Sequence, residues 1–208
     1  MTHYEYYIYN IPLFVLNTPE ESVDIPAFCE EVEEILPQSL LHDLDVVYIG
    51  DFKELQGRNA TYRNGAIYIS SQEPTNFDLM EDFIHETAHS LEDRLGGQIY
   101  NKDLVDEFRG KRSRLKHILE AEGYHINPKA YAQIEYNPKF DKFLADEVGY
   151  PTLLSLTMGL FVSPYGATSL QEYFANGFEK YFLDSPKTVK DISPLLHKKI
   201  EEIINEQA

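Results

Sequence analysis

Apolar residues recur three and four apart between Pro74 and Gly96, at Phe77, Met80, Ile84, Ala88, Leu91 and Leu95. That spacing predicts an amphipathic helix, with Asn76 as its N-cap and Gly96-Gly97 as its end. A second helix follows Pro26, with Ala27, Phe28, Val32, Ile35 and Leu36 on one face. Others are predicted over Leu104–Gly123, over "EYNPKFDKFLADEVG" after an Asn-Pro turn, and from Ser169 through "LQEYFANGFEKYFLD". The last starts at Ser193-Pro194 with Leu195, Leu196, Ile200, Ile203 and Ile204 inward. Strand patterns precede the central helix, at Tyr4–Phe14, Asp45–Phe52 and Asn64–Ser70. Pro12 restricts the first to a sheet edge or an early end. "YPTLLSLTMGLFV", interrupted by Pro151 and Gly159, reads as core. With no repeat, linker or low-complexity tract, residues 1–208 read as one helix-rich α+β domain.

Composition narrows the function. The 208 residues carry 18 basic and 35 acidic side chains, a formal charge of −17. Such a balance argues against nucleic-acid or anionic-membrane binding and leaves cationic partners open, although many acidic proteins are simply soluble; for a protein or peptide substrate it favours basic flanks. The local cluster "KRSRLK" (Lys111–Lys116) has no interleaved aromatic residues and reads as a solvated helix face. No stretch reaches the length of a membrane span. Cys29 is the one cysteine, so no internal disulfide forms; it reads as a small apolar residue on a helix face. The N-terminus lacks a basic region and a small-residue cleavage signal. A cytoplasmic location is the default expectation, and export would need a non-standard route.

The central helix contains "HETAH". Residues four apart lie one above the other on a helix, so His85 and His89 present two imidazoles to one ion. Zinc at such a site lowers the pKa of a bound water to about 7. Glu86 lies beside them as general base, passing the proton later to the leaving amine. Two histidines are insufficient: a catalytic zinc site needs a third protein ligand and an open fourth position. The compact HExxHxxGxxH form is absent, because Leu95 stands where its third histidine would be. Acids of later helices are the candidates, foremost in "SPYGATSLQEYFANGFEKYF" (Ser163–Phe182). Ser169 to Glu172 also spells a capping box, which would turn Glu172 back to the Ser169 N–H.

"HETAH" followed by "YGATSLQEYFANGF" resembles the protease domain of anthrax lethal factor and its relatives, which include clostridial Pro-Pro endopeptidases. The resemblance extends through "DSPKTVKDISPLLHKKIEEII" and is clearest over the C-terminal two-thirds. It implies a zincin-like metallopeptidase: a small mixed sheet packed on the HExxH helix, with a helical C-terminal part. It also implies one zinc ion per chain, held by His85, His89 and Glu172, with Glu86 as base. Tyr165, seven residues before Glu172, matches a tyrosine thought to stabilise the oxyanion. The strand before the zinc helix, "NGAIYIS" here, is an edge in that family and pairs antiparallel with extended peptide.

One position departs from the pattern. Asn176 stands where the family has an acid four residues beyond the ligand; if that acid buttresses a ligand histidine, an amide does so without charge. Glu92 can accept from the second ring nitrogen of His89, although helix acids at this spacing are mostly solvated. His3, His42, His117, His125 and His197 lack a partner pattern and read as structural or surface residues. Two function classes follow, a zinc endopeptidase and a zincin-scaffold binding module, as in a toxin or phage component, whose catalysis has faded. Intact Glu86 and Tyr165 favour the first.

Overall fold

The computed structural model describes residues 4–55 and 57–207; His3 lies outside them. Strands β1 (Tyr4–Ile8), β2 (Ile11–Val15), β3 (Val46–Gly50), β4 (Ala60–Arg63) and β5 (Ala66–Ser70) form a mixed sheet in the order β1-β2-β3-β5-β4. Helix α1 (Ile25–Ile35) separates β2 from β3 in the chain, and α2 (Asn76–Ile99) follows β5. Then come α3 (Lys102–Ala121), the short α4 (Lys129–Ala132) and α5 (Pro138–Lys142), and a π-helical turn, Phe143–Val148. Helices α6 (Tyr150–Leu156), α7 (Leu170–Leu183), α8 (Pro186–Ile192) and α9 (Pro194–Gln207) complete this α+β order. No helix among the described residues is long and apolar enough to cross a membrane. Where no linker is visible in the sequence, contacts divide the chain into two compact units: one up to Gly96 with the chain end from Ile204, the other Gly97–Ile203.

In the first unit, alternation along the strands sorts side chains onto two faces. Leu13, Val47 and Ile67 stand in register, as do Val15, Ile49 and Ile69, and all six are at most 4% exposed. The other face carries Phe14, Tyr48 and Tyr68 in register, their rings stacked at 5.9 and 5.3 Å. β5 has β3 on one side and antiparallel β4 on the other. "NGAIYIS" is therefore an interior strand, and the edge beside it is β4. The two pair through an Asn64-Gly65 turn with both φ positive, 49° and 79°, the conformation that tight hairpins need.

Pro12 is tolerated in an interior strand. It opposes Tyr7, next to the closing pair Ile8–Ile11 of the hairpin, so its missing N–H faces away from β1. Towards β3, pairing starts only at Leu13, so no ladder bond is lost. On α2, the capping residue is Thr75, whose hydroxyl accepts the Asp78 N–H at 3.2 Å. Asn76 instead exchanges two hydrogen bonds with the backbone of Asp24, the residue that caps α1. Gly96 and Gly97 do not end the helix. Each costs about 1 kcal/mol relative to alanine, and the next turn is anchored by fully buried Ile99. Cys29 is buried on α1, and burial, aided by Glu33 and Glu30, pushes its thiol up to about 11. It is an inert packing residue.

In the second unit, α3 supplies the core through Leu104, Phe108, Leu115 and Leu119, each at most 1% exposed. The cluster read as a solvated face is split: Ser113 and Arg114 are exposed, whereas Lys111 and Arg112 are buried. Lys111 Nζ donates to the carbonyls of Leu160 (2.6 Å) and Ile192 (2.7 Å). Arg112 donates to Ala130 (2.6 Å), Ala167 (2.6 Å) and Thr168 (3.2 Å), its guanidinium 3.9 Å from the Phe140 ring centre. These cations serve as carbonyl clamps, a use that their spacing alone does not separate from solvation. Helix α9 faces inward through Leu196, Ile200 and Ile203, while Leu195 is 39% exposed. A Cβ on Gly177 of α7 would lie 2.3 Å from Leu196 Cδ2, so a larger residue there displaces the Leu196 side chain. The apolar run around α6 is only partly core: Leu153 is buried, but Leu154 and Met158 are 55% and 83% exposed.

Candidate metal centre

Helix α2 is anchored by Phe83, Ile84, Ala88 and Leu91, all fully buried. Thr87 and Ser90 on the same side return their hydroxyls to the helix carbonyls of Phe83 and Thr87, which satisfies them without outside partners. With that face fixed, His85 and His89 stand one turn apart and half-buried, ring centres 5.0 Å apart at 70°. Glu172 lies in the first turn of α7, where the Ser169 hydroxyl accepts its backbone N–H at 3.1 Å.

One ligand atom from each of His85, His89 and Glu172 lies within 4.8 Å of the others. Among the described residues this is the one group of three or more His, Cys, Asp or Glu side chains so arranged. The Ser169 half of the capping box is therefore made through the Glu172 backbone, while the Glu172 carboxylate belongs to the His85–His89 group. Two imidazoles and one carboxylate are a donor set that could hold a divalent metal ion.

A further pairing supports the donor set. His89 Nδ1 and Glu92 Oε1 are 2.8 Å apart, and the two side chains are 21% and 18% exposed. Glu92 is thus a partner and not a solvated helix acid. A carboxylate on Nδ1–H fixes the tautomer that turns Nε2 outward as a lone-pair donor.

Glu86 is placed differently. Its Oε2 accepts the backbone N–H of Tyr62 in edge strand β4 at 2.6 Å. The Asn59 carbonyl accepts from Ser70 N–H, so in this antiparallel ladder the backbone groups of Ala60 and Tyr62 face outward. Tyr62 also donates its hydroxyl to Asp93 at 2.7 Å. Burial, then this hydrogen bond, pushes the phenol up to about 12. One residue of the edge strand thus holds two acids of α2, seven positions apart. No feature of "RNATYRNG" announces this.

Tyr165 opens a 3₁₀ turn, Tyr165–Ala167, that leads into α7. Its ring meets Tyr150 edge-on at 6.4 Å. Tyr150 in turn donates to Asp141 at 3.2 Å. Burial first, then Asp141, raises its phenol, with smaller contributions from Tyr136 and Glu172. Asn176 is buried; it donates to the Glu172 carbonyl at 2.8 Å and accepts from the Ser163 hydroxyl. Of the other described histidines, His42, His117 and His125 are exposed, and His197 is buried beside Tyr181 and Glu201. None joins a ligand group.

Comparison with protein-family models, curated proteins and solved structures gives no match.

Proposed function

We propose that this protein is a zinc-dependent endopeptidase with a zincin-like, lethal factor-like site. The observation that carries the reading is the convergence of His85, His89 and Glu172 on one point. Zinc bound there supplies a Lewis acid and brings the pKa of its water to about 7. The tie between His89 and Glu92 commits one ring nitrogen to the protein and assigns metal ligation to the other.

Glu86 takes the proton of the attacking water and returns it to the leaving amine. Its carboxylate is held through one oxygen by the Tyr62 N–H, and the second oxygen carries the proton. The Tyr165 hydroxyl donates to the oxyanion that develops on the scissile carbonyl. Substrate is an extended peptide that adds to β4, where the outward groups of Ala60 and the Tyr62 carbonyl offer strand pairing. The charge of −17 favours basic residues flanking the cleaved bond.

The test is Glu86→Gln. With one equivalent of zinc, elemental analysis should find the parent's stoichiometry in the variant. Hydrolysis of a peptide library read by mass spectrometry should fall by several orders of magnitude, because the ligands remain while the proton acceptor is gone. Near-parental cleavage by Glu86→Gln would exclude this route.

A further inference from the structure

We infer that Asn176 is a positioning residue that sets the turn carrying Tyr165 on α7, and that its amide is required there. The inference rests on the peptidase reading for its kinetic consequence, but its geometry lies entirely between Ser163 and Asn176. Asn176 Nδ2–H donates to the Glu172 carbonyl at 2.8 Å, while Oδ1 accepts from the Ser163 hydroxyl. The Ser163 oxygen in turn accepts the Gly166 N–H at 3.3 Å. One chain of hydrogen bonds therefore runs from the backbone of Glu172 to the residue after Tyr165.

The turn lies flat on the helix. A Cβ built on Gly166 would stand 3.6 Å from Asn176 Cβ and 3.7 Å from the Glu172 carbonyl and from Tyr173 Cα. Asn176 is 7% exposed, so water does not substitute for these partners without cost. Both halves of the amide are used. A carboxylate at this place has no donor for the Glu172 carbonyl and sets a negative oxygen against it. Asn176 is thus no weakened version of an acid that buttresses histidine: it ties the phenol to the helix that carries the carboxylate ligand.

The experiment uses the full chain with 3-fluorotyrosine at position 165, followed by fluorine NMR, and peptide kinetics of the unlabelled protein. Asn176→Asp keeps the shape and loses the donor, and Ser163→Ala removes the link to the turn. Each should shift and broaden the resonance of residue 165, with and without zinc, at unchanged far-UV circular dichroism. Each should lower kcat about 10- to 100-fold, the scale of a misplaced oxyanion donor, with KM within about twofold. In a Tyr165→Phe background the same substitutions should cost less than about twofold, because the group they position is gone.

An unmoved resonance overturns the inference, and so does an undiminished loss in the Tyr165→Phe background. If Asn176→Asp does not fold, Ser163→Ala alone decides by the same readings. If the resonance moves as expected while the parent hydrolyses no peptide, the pin stands and the peptidase reading falls.

Discussion

Truncating Glu92 should weaken zinc binding although Glu92 never touches the metal. The carboxylate lies 2.8 Å from His89 Nδ1, and both side chains are about four-fifths buried. A hydrogen bond to a charged group in such surroundings contributes about 1.5–3 kcal/mol. Only the share that favours the metal-bound ring counts, because the apo protein keeps the same contact. That share is the orientation of the ring plus the attraction between carboxylate and cation, together about 1.4–2.7 kcal/mol, or 10- to 100-fold in affinity. Glu92→Gln keeps an acceptor for Nδ1–H without the charge, so it should lose about three- to tenfold, and Glu92→Ala the full amount. Competition with a chromophoric chelator at fixed pH reads these constants directly, and circular dichroism of the apo forms checks the fold. Equal zinc affinity in parent and Glu92→Ala would refute the argument that this pairing prepares His89 as a ligand.

Two further predictions concern the buried cations. Arg112→Met removes three hydrogen bonds to carbonyls and a stacked guanidinium, and should cost about 3–5 kcal/mol in urea unfolding of the apo protein; a loss below about 1 kcal/mol would contradict the clamp. Burial lowers the Lys111 amine to about 8 from its ordinary 10.5. Between those values the unfolded chain binds the proton that the folded chain has released, so this group makes stability rise with pH from about 8 upward. The Cys29 thiol, raised from 9.0 to about 11, acts in the opposite sense above about 9, and buried tyrosines such as Tyr131 at about 12 do so only above about 10. Lys111→Met should therefore flatten the slope of unfolding free energy between about pH 8 and 10, and an unchanged slope would reject the assignment.

What was legible in the sequence depended on whether a few residues carry the information locally. HETAH is such a case, since four-residue spacing on a helix places both imidazoles on one side whatever surrounds them. Glu172 was not: its capping role is local, and its ligand distance depends on tertiary placement. Only the likeness of "YGATSLQEYFANGF" to a known pattern selected it. The edge strand is assigned to "NGAIYIS" only by the resemblance, as the strand before the central helix; "ATYR" is too short to alternate visibly, yet it pairs beyond β5 and forms the edge. Lys111 and Arg112 have the composition of a solvated face, and carbonyls distant in sequence decide their burial. Likewise Gly96-Gly97 reads as a stop signal, yet burial of Ile99 one turn later outweighs the local preference.

If His85, His89 and Glu172 together hold one zinc ion, Glu172→Gln must lose it. Glutamine serves a capping box as well as glutamate, but a neutral amide is a poor zinc ligand beside a carboxylate. Zinc affinity measured against a chelator, with thermal unfolding of both apo proteins alongside, separates metal ligation from capping. Glu172→Gln should lose zinc affinity by at least about 100-fold, on the scale of a lost ligand, with apo stability close to that of the parent. Parental zinc affinity in Glu172→Gln would contradict it and place the third ligand elsewhere.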